Sequence, residues 1–196
     1  MIAWPFDPLP MFGFDVVMAD MPWPWMAYSE KGLAKSPEAH YATMKFEDIA
    51  ALPVGDLLAP GGVLFLWCTW PLIHRQTQMP KRWGLEIKTG GVWAKRTESG
   101  KLRWGTGYLL RSVCEPFVIA TLKNSGFRGP SETNLIDGLA REHSRKPDEA
   151  YQLIERILPD ARRADLFARE SRPGWTPFGF EATKFDSVPF DVVEES

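Results

Sequence analysis

An apolar run, Asp15-Val16-Val17-Met18-Ala19, leads directly into Asp20-Met21-Pro22-Trp23. The run reads as a buried strand, and open α/β sheets bind their ligands beyond the carboxyl ends of strands, where Asp20 stands. A carboxylate followed by x-Pro-aromatic at such a place suits methylation of an exocyclic amine. The amine of adenine is conjugated with its ring and is a poor nucleophile. Acceptors on its two N–H groups draw the nitrogen toward tetrahedral geometry and release its lone pair. Asp20 supplies one acceptor, a backbone carbonyl of the same turn supplies the other, and Trp23 offers a flat face for an extruded base. Taken alone, the four residues read more simply as a turn with a packed tryptophan.

Elements must place that aspartate. Val63-Leu64-Phe65-Leu66-Trp67-Cys68 is the clearest further strand, and the spacing over Phe46 to Leu58 is helical with a break near Pro53. Pro71 is expected to start a helix ending near Gly84. Val92 to Lys95 and Phe117 to Leu122 read as strands bracketing a basic loop, and the polar stretch 123–142 as a mobile surface loop. A helix opens near Pro147 with Asp148 and Glu149 in its first turn, and Ala150, Leu153, Ile154, Ile157 and Leu158 form its apolar stripe. Ala164 to Ala168 reads as the last strand. The pattern is α/β: a mostly parallel sheet with helices on both faces.

Composition bounds what remains. The 196 residues carry 23 basic and 25 acidic side chains, and 13% are aromatic. That excludes a disordered chain and a tail-type nucleic-acid binder. One domain is expected over 1–181, followed by an irregular acidic tail over 182–196. Cys68 and Cys114 sit in apolar runs, read as reduced thiols of a cytoplasmic protein. His40, His74 and His143 lack ligand spacing, so no metal is expected. The apolar stretch Gly61 to Ile73 is too short for a bilayer, no signal peptide is visible, and no membrane partner is expected. A Walker A loop, Gly-x-Ser-x-Gly and a complete GxGxxG are absent.

Ordered blocks follow the Asp20 motif along most of the chain: His40-Tyr41-Ala42-Thr43-Met44, Leu64 to Thr69, Val92-Trp93-Ala94-Lys95, Gly105 to Arg111 with Glu115, His143 to Glu149, Leu166 to Arg169, and Arg172 to Trp175 with Gly179 and Glu181. In these the chain resembles the N6-adenine methyltransferases related to the seventy-kilodalton MT-A subunit of the messenger-RNA methyltransferase. The resemblance implies a Rossmann-like methyltransferase fold in permuted order, the Asp-Pro-Pro-Trp strand preceding the cofactor-binding strand. It also implies S-adenosylmethionine as methyl donor. Asp20, Met21, Pro22 and Trp23 would then form the catalytic turn. Asp20 and Pro22 would line the junction of cofactor and amine, Lys146 would pair with the cofactor carboxylate, and Arg169, Phe180 and Glu181 would lie near its ribose and adenine. Tyr41, Trp67 and Glu115 would shape the side of the target base. Met21 departs from the family's first proline and Phe178 from its more frequent tryptophan, while Trp4 to Leu9 offers no clear cofactor contact.

A nucleic-acid substrate needs phosphate contacts. The loop from Lys95 to Arg111 supplies Lys95, Arg96, Lys101, Arg103 and Arg111 against Glu98, with Arg141, Arg145 and Lys146 as an extension. DNA is favoured over RNA, with loose sequence specificity or a second subunit or second copy assisting. The competing reading is a catalytically inactive methyltransferase-like subunit that binds nucleic acid or a partner.

Overall fold

Alternation along three central strands sorts their side chains between two faces. Val17, Ala19, Leu64, Leu66, Ala164 and Leu166 enter one apolar cluster, while Val16, Met18, Val63, Phe65 and Trp67 enter another. These strands belong to a computed structural model that describes residues 3–24, 43–122, 130–142 and 145–186. They are β1 (Phe14–Ala19), β2 (Leu58–Trp67) and β6 (Arg163–Leu166). Four more complete the sheet: β3 (Glu86–Arg96), β4 (Cys114–Thr121), β5 (Leu135–Leu139) and β7 (Trp175–Phe178).

The strand order is β5-β3-β4-β2-β1-β6-β7. Only β4 among these strands runs opposite to its neighbours; β1 pairs in parallel with both β2 and β6. The chain leaves β1 toward β2 on one side and later fills β6 and β7 on the other. The carboxyl end of β1 is therefore the topological switch point, the place where a ligand crevice opens in such sheets. Helix α4 (Asp148–Ile157) covers one face through Ala150, Tyr151, Leu153 and Ile154. The opposite face is covered by α1 (Phe46–Ala51) and α3 (Met79–Arg82), with α2 (Ile73–Gln76) between them. The expected α/β architecture with both faces covered is present.

Several details differ from the sequence expectation. The stretch read as a loop over 123–142 contains β5, which pairs with β3 from Val92↔Leu135 to Arg96↔Leu139. Its Leu-Ile-Asp-Gly-Leu sequence buries only Ile136 and Gly138, so an edge strand carries little apolar signal. Gly91 is required beside it, because a Cβ there would lie 2.1 Å from the Asn134 carbonyl oxygen. The strand at residues 163–166 is not the last: Phe167, with φ of 59°, turns the chain, and β7 then pairs with β6. The helix expected from Pro71 to Gly84 is three short pieces, a 3₁₀ turn over Trp70–Leu72 followed by α2 and α3. Residues 182–186, expected to be loose, are tied back: the Phe185 amide donates to Arg169 O at 3.0 Å and the Ser171 amide to Asp186 Oδ1 at 2.6 Å. Near the amino terminus Phe6 is buried against Phe178 of β7, with ring centroids 5.5 Å apart.

Candidate active site

The β1 strand ends on Ala19 and delivers Asp20 to the switch point, where its amide donates to Leu166 O at 3.2 Å and fixes it against β6. Lys146 lies two residues before α4, and its Nζ sits 2.8 Å from Asp20 Oδ2 and 2.8 Å from Glu115 Oε1. The other oxygen of Glu115 lies 2.7 Å from Lys95 Nζ. Charges thus alternate Asp20–Lys146–Glu115–Lys95 across β1, the α4 approach, β4 and β3. Both ammonium groups also lie over indoles, Lys146 5.3 Å from the Trp67 ring centroid and Lys95 4.7 Å from that of Trp93.

Lys146 is only 8% exposed, so the chain lies largely out of water and its members depend on one another. Burial pushes Asp20 above the usual carboxylate range, against the pull of Lys146. Burial acts the same way on Glu115, but Lys146 and Lys95 outweigh it and hold that carboxyl down at about 2. Burial alone would lower Lys146; Asp20 and Glu115 reverse this and raise it. Cys68 beside the site is pushed up to about 12 by burial and by both carboxylates, which leaves it a protonated thiol.

A cavity of about 140 Å³ opens at Asp20, lined also by Pro22, Met44, Phe167, Arg169 and Glu181. Arg169 Nη1 lies 2.5 Å from Glu181 Oε2 at its far side. Phe180, also in the lining, is 94% exposed. Gly179, with φ of 144°, passes so close to Phe167 that a Cβ would meet its Cα at 2.8 Å. The donor set suits S-adenosylmethionine: a carboxylate for a cationic centre, a carboxylate–guanidinium pair for ribose hydroxyls, and an open aromatic ring for a base. The volume is below the roughly 300 Å³ of a typical small-molecule site, so a ligand of that size would have to reach beyond the cavity, whose rim carries the exposed Phe180.

The sequence-predicted residues fall into distinct groups. Asp20, Met21, Pro22, Arg169, Phe180 and Glu181 line one cavity, and Lys146 and Glu115 join Asp20 by ion pairs. Met21 is 2% exposed, and its carbonyl accepts the Trp23 amide at 2.8 Å, leaving one lone pair for the expected second acceptor. Trp23 does not present an open face: it is buried, stacks at a tilt on Phe46 5.6 Å away, and donates its indole N–H to Trp67 O at 3.3 Å. The packed-tryptophan reading describes it better than base stacking. Trp67 is likewise core, against Trp93 and Phe117. Lys95, expected at phosphate, is engaged by Glu115. Arg103 and Arg111 are exposed and bonded to carbonyls, at 2.9 Å to Ala140 O and 2.7 Å to Gly105 O. Tyr41, His40 and His143 lie outside the described residues.

Arg141 and Arg145, expected to extend the phosphate surface, instead converge on the buried Glu170. Arg172 joins them at 2.9 Å and also pairs with Asp148. This cluster braces the turn after β6 against the start of α4. The sequence carried its signal only as neighbouring charges of unlike sign, too common on a surface to single out.

Comparisons with known proteins agree with the geometry. A family model described as MT-A70 matches residues 14–181. A putative N(6)-adenosine-methyltransferase MT-A70-like protein of Medicago truncatula is 32% identical over 170 residues, covering 85% of this chain and 26% of the relative. The N(6)-adenosine-methyltransferase catalytic subunit METTL3 of Homo sapiens is 30% identical over 185 residues, 92% of this chain and 30% of the relative. The N(6)-adenine-specific methyltransferase METTL4 of Homo sapiens is 28% identical over 198 residues, 93% and 40% respectively. The chain therefore spans between about a quarter and two fifths of the length of these relatives.

Proposed function

The chain belongs to the MT-A70 family, whose methyltransferases use S-adenosylmethionine as methyl donor, and on that premise we propose that it methylates the N6 amine of adenine in nucleic acid, DNA in preference to RNA. The observation that carries the reading is Asp20, half-buried at the switch point, oriented by Lys146 and forming part of the wall of the cavity.

When bound, the cofactor supplies an electrophilic methyl group on a sulfonium. The protein's part is positioning and polarisation. Lys146 holds Oδ2 of Asp20, which leaves Oδ1 to accept one N–H of the amine. The second lone pair of the Met21 carbonyl accepts the other. Burial keeps the Asp20 carboxylate poorly solvated, so its hydrogen bond to the amine is strong. The proton shed by the methylated nitrogen is taken at the same Oδ1. Pro22 biases residue 21 toward extended backbone and preserves the turn where the family has a second proline.

The relatives' names do not separate the two substrates, METTL4 being named for adenine and METTL3 for adenosine, so the DNA preference stands as the prediction that the following test decides. Because METTL3 is named a catalytic subunit, a second subunit or a second copy of this chain is proposed to assist target selection. The test offers matched DNA and RNA oligonucleotides with labelled S-adenosylmethionine and quantifies N6-methyladenine. Faster labelling of DNA is expected. Faster labelling of RNA reverses the substrate preference. No labelling of either, with no thermal stabilisation by the cofactor, leaves the inactive-subunit reading.

A further inference from the structure

Between β3 and β4 the chain projects a loop that exposes several large apolar and aromatic residues. Trp104 is 67% exposed, and Tyr108, Leu109 and Leu110 are each above 80%. The loop is nonetheless built. Leu102 bridges to Arg96, the Arg103 amide donates to Lys95 O at 2.7 Å, the Gly105 amide donates to Ser112 O at 2.6 Å, and Arg111 Nε reaches Gly105 O. Gly107 lies so close to Leu110 that a Cβ would meet its carbonyl oxygen at 1.8 Å, so the tip is a tight turn. A held loop with an apolar tip marks an interaction surface.

Charge identifies the occupant. Arg96 is neutralised by Asp137, and Arg141, Arg145 and Arg172 by Glu170. Lys101, Arg103 and Arg111 have no carboxylate within ion-pair distance among the described residues, so their charges remain available beside the two rings. The loop leaves β3 at its carboxyl end. Since β3 runs the same way as β1, that edge of the sheet also carries Asp20. Lys95, which anchors the loop, is joined to Asp20 through Glu115 and Lys146.

We propose that Trp104 and Tyr108 are a stacking platform for unpaired bases beside the target adenine, making single-stranded nucleic acid the preferred substrate form. Every base presents a flat face, so rings among cations grip a single strand with little regard to sequence; paired bases in a duplex are not accessible to them. The inference rests on the nucleic-acid reading above and adds the form of the substrate and the residues that select it.

The test is fluorescence anisotropy of the full chain with a labelled oligonucleotide of about twelve nucleotides, single-stranded or in a duplex. Tighter binding of the single strand is expected. Trp104→Ala and Tyr108→Ala should each weaken it by about fivefold to a hundredfold, while Trp104→Phe and Tyr108→Phe should retain most of the affinity. The thermal shift with S-adenosylmethionine should stay as in wild type, which shows the fold intact. Alanine variants that bind the single strand like wild type overturn the proposal. If those variants instead turn a sedimenting dimer into a monomer, the tip is a protein interface. Wild type that binds single strands through these rings yet transfers no methyl group would sink the enzymatic reading and leave this one standing.

Discussion

Lys146 stands between two carboxylates and, with Lys95, overcomes burial at one of them, Glu115, but not at the other, Asp20. Glu115 is held at about 2, below the 4.5 of an unconstrained glutamate. Its contribution to stability is therefore complete above about pH 4.5 and lost as pH falls toward 2. Glu115→Gln should lower unfolding stability at pH 7 by about 1–3 kcal/mol, and the gap from wild type should close between pH 4.5 and 2 in denaturant titrations. A gap that stays constant over that range would mean the pairing with Lys146 and Lys95 does not hold Glu115. Asp20 and Lys146 were legible from the chain alone, one at the end of an apolar run and one just before a helix. The link between them was not. Lys95 and Glu115 come from two strands whose adjacency is a property of the sheet, and no local spacing announces it. The packing of Trp23 is hidden for a related reason: an aromatic residue's type is visible in sequence, but the direction its face points is set by Phe46 from another element.

Helix α4 and strand β6 meet over a buried polar pair. Tyr151 donates its hydroxyl to Asp165 Oδ2 at 2.8 Å, and burial pushes Asp165 up to about 7 while that hydrogen bond pulls the other way. An unfolded aspartate loses its proton near 3.8, so between that pH and 7 the folded chain binds the extra proton. Stability from this group is full below 3.8 and declines as pH rises to 7. Asp165→Asn should remove that decline and melt at a higher temperature than wild type at pH 8; an unchanged or lower melting temperature there would contradict it. The helix itself was readable, because its apolar stripe repeats at helical spacing. Its end was less so: Arg163, a strand residue, donates Nη2 to Leu158 O at 2.5 Å and Pro159 O at 2.6 Å. Edge strands β5 and β7 carry a weak sequence signal because an edge buries few side chains and tolerates glycine and proline.

Across the whole molecule, a net charge of −2 conceals an uneven surface. Around Glu170 the arginines are spent on ion pairs, whereas the β3–β4 loop keeps its cations unneutralised. The expected phosphate surface therefore contracts to Lys101, Arg103 and Arg111. Replacing Arg103 by Ala should weaken binding to all oligonucleotides and lower the slope of log affinity against log salt by about one; an unchanged slope would take Arg103 off the phosphate path. The sheet architecture and the location of the site were readable from apolar runs and one motif. The distribution of usable charge was not, because neutralisation depends on partners distant in the chain. The central claim is that Asp20 polarises the amine that receives the methyl group. Single-turnover transfer from labelled S-adenosylmethionine to adenine N6 tests it by comparing wild type with Asp20→Ala. A rate lower by about a hundredfold to a thousandfold is expected; a wild-type rate in the variant would contradict it.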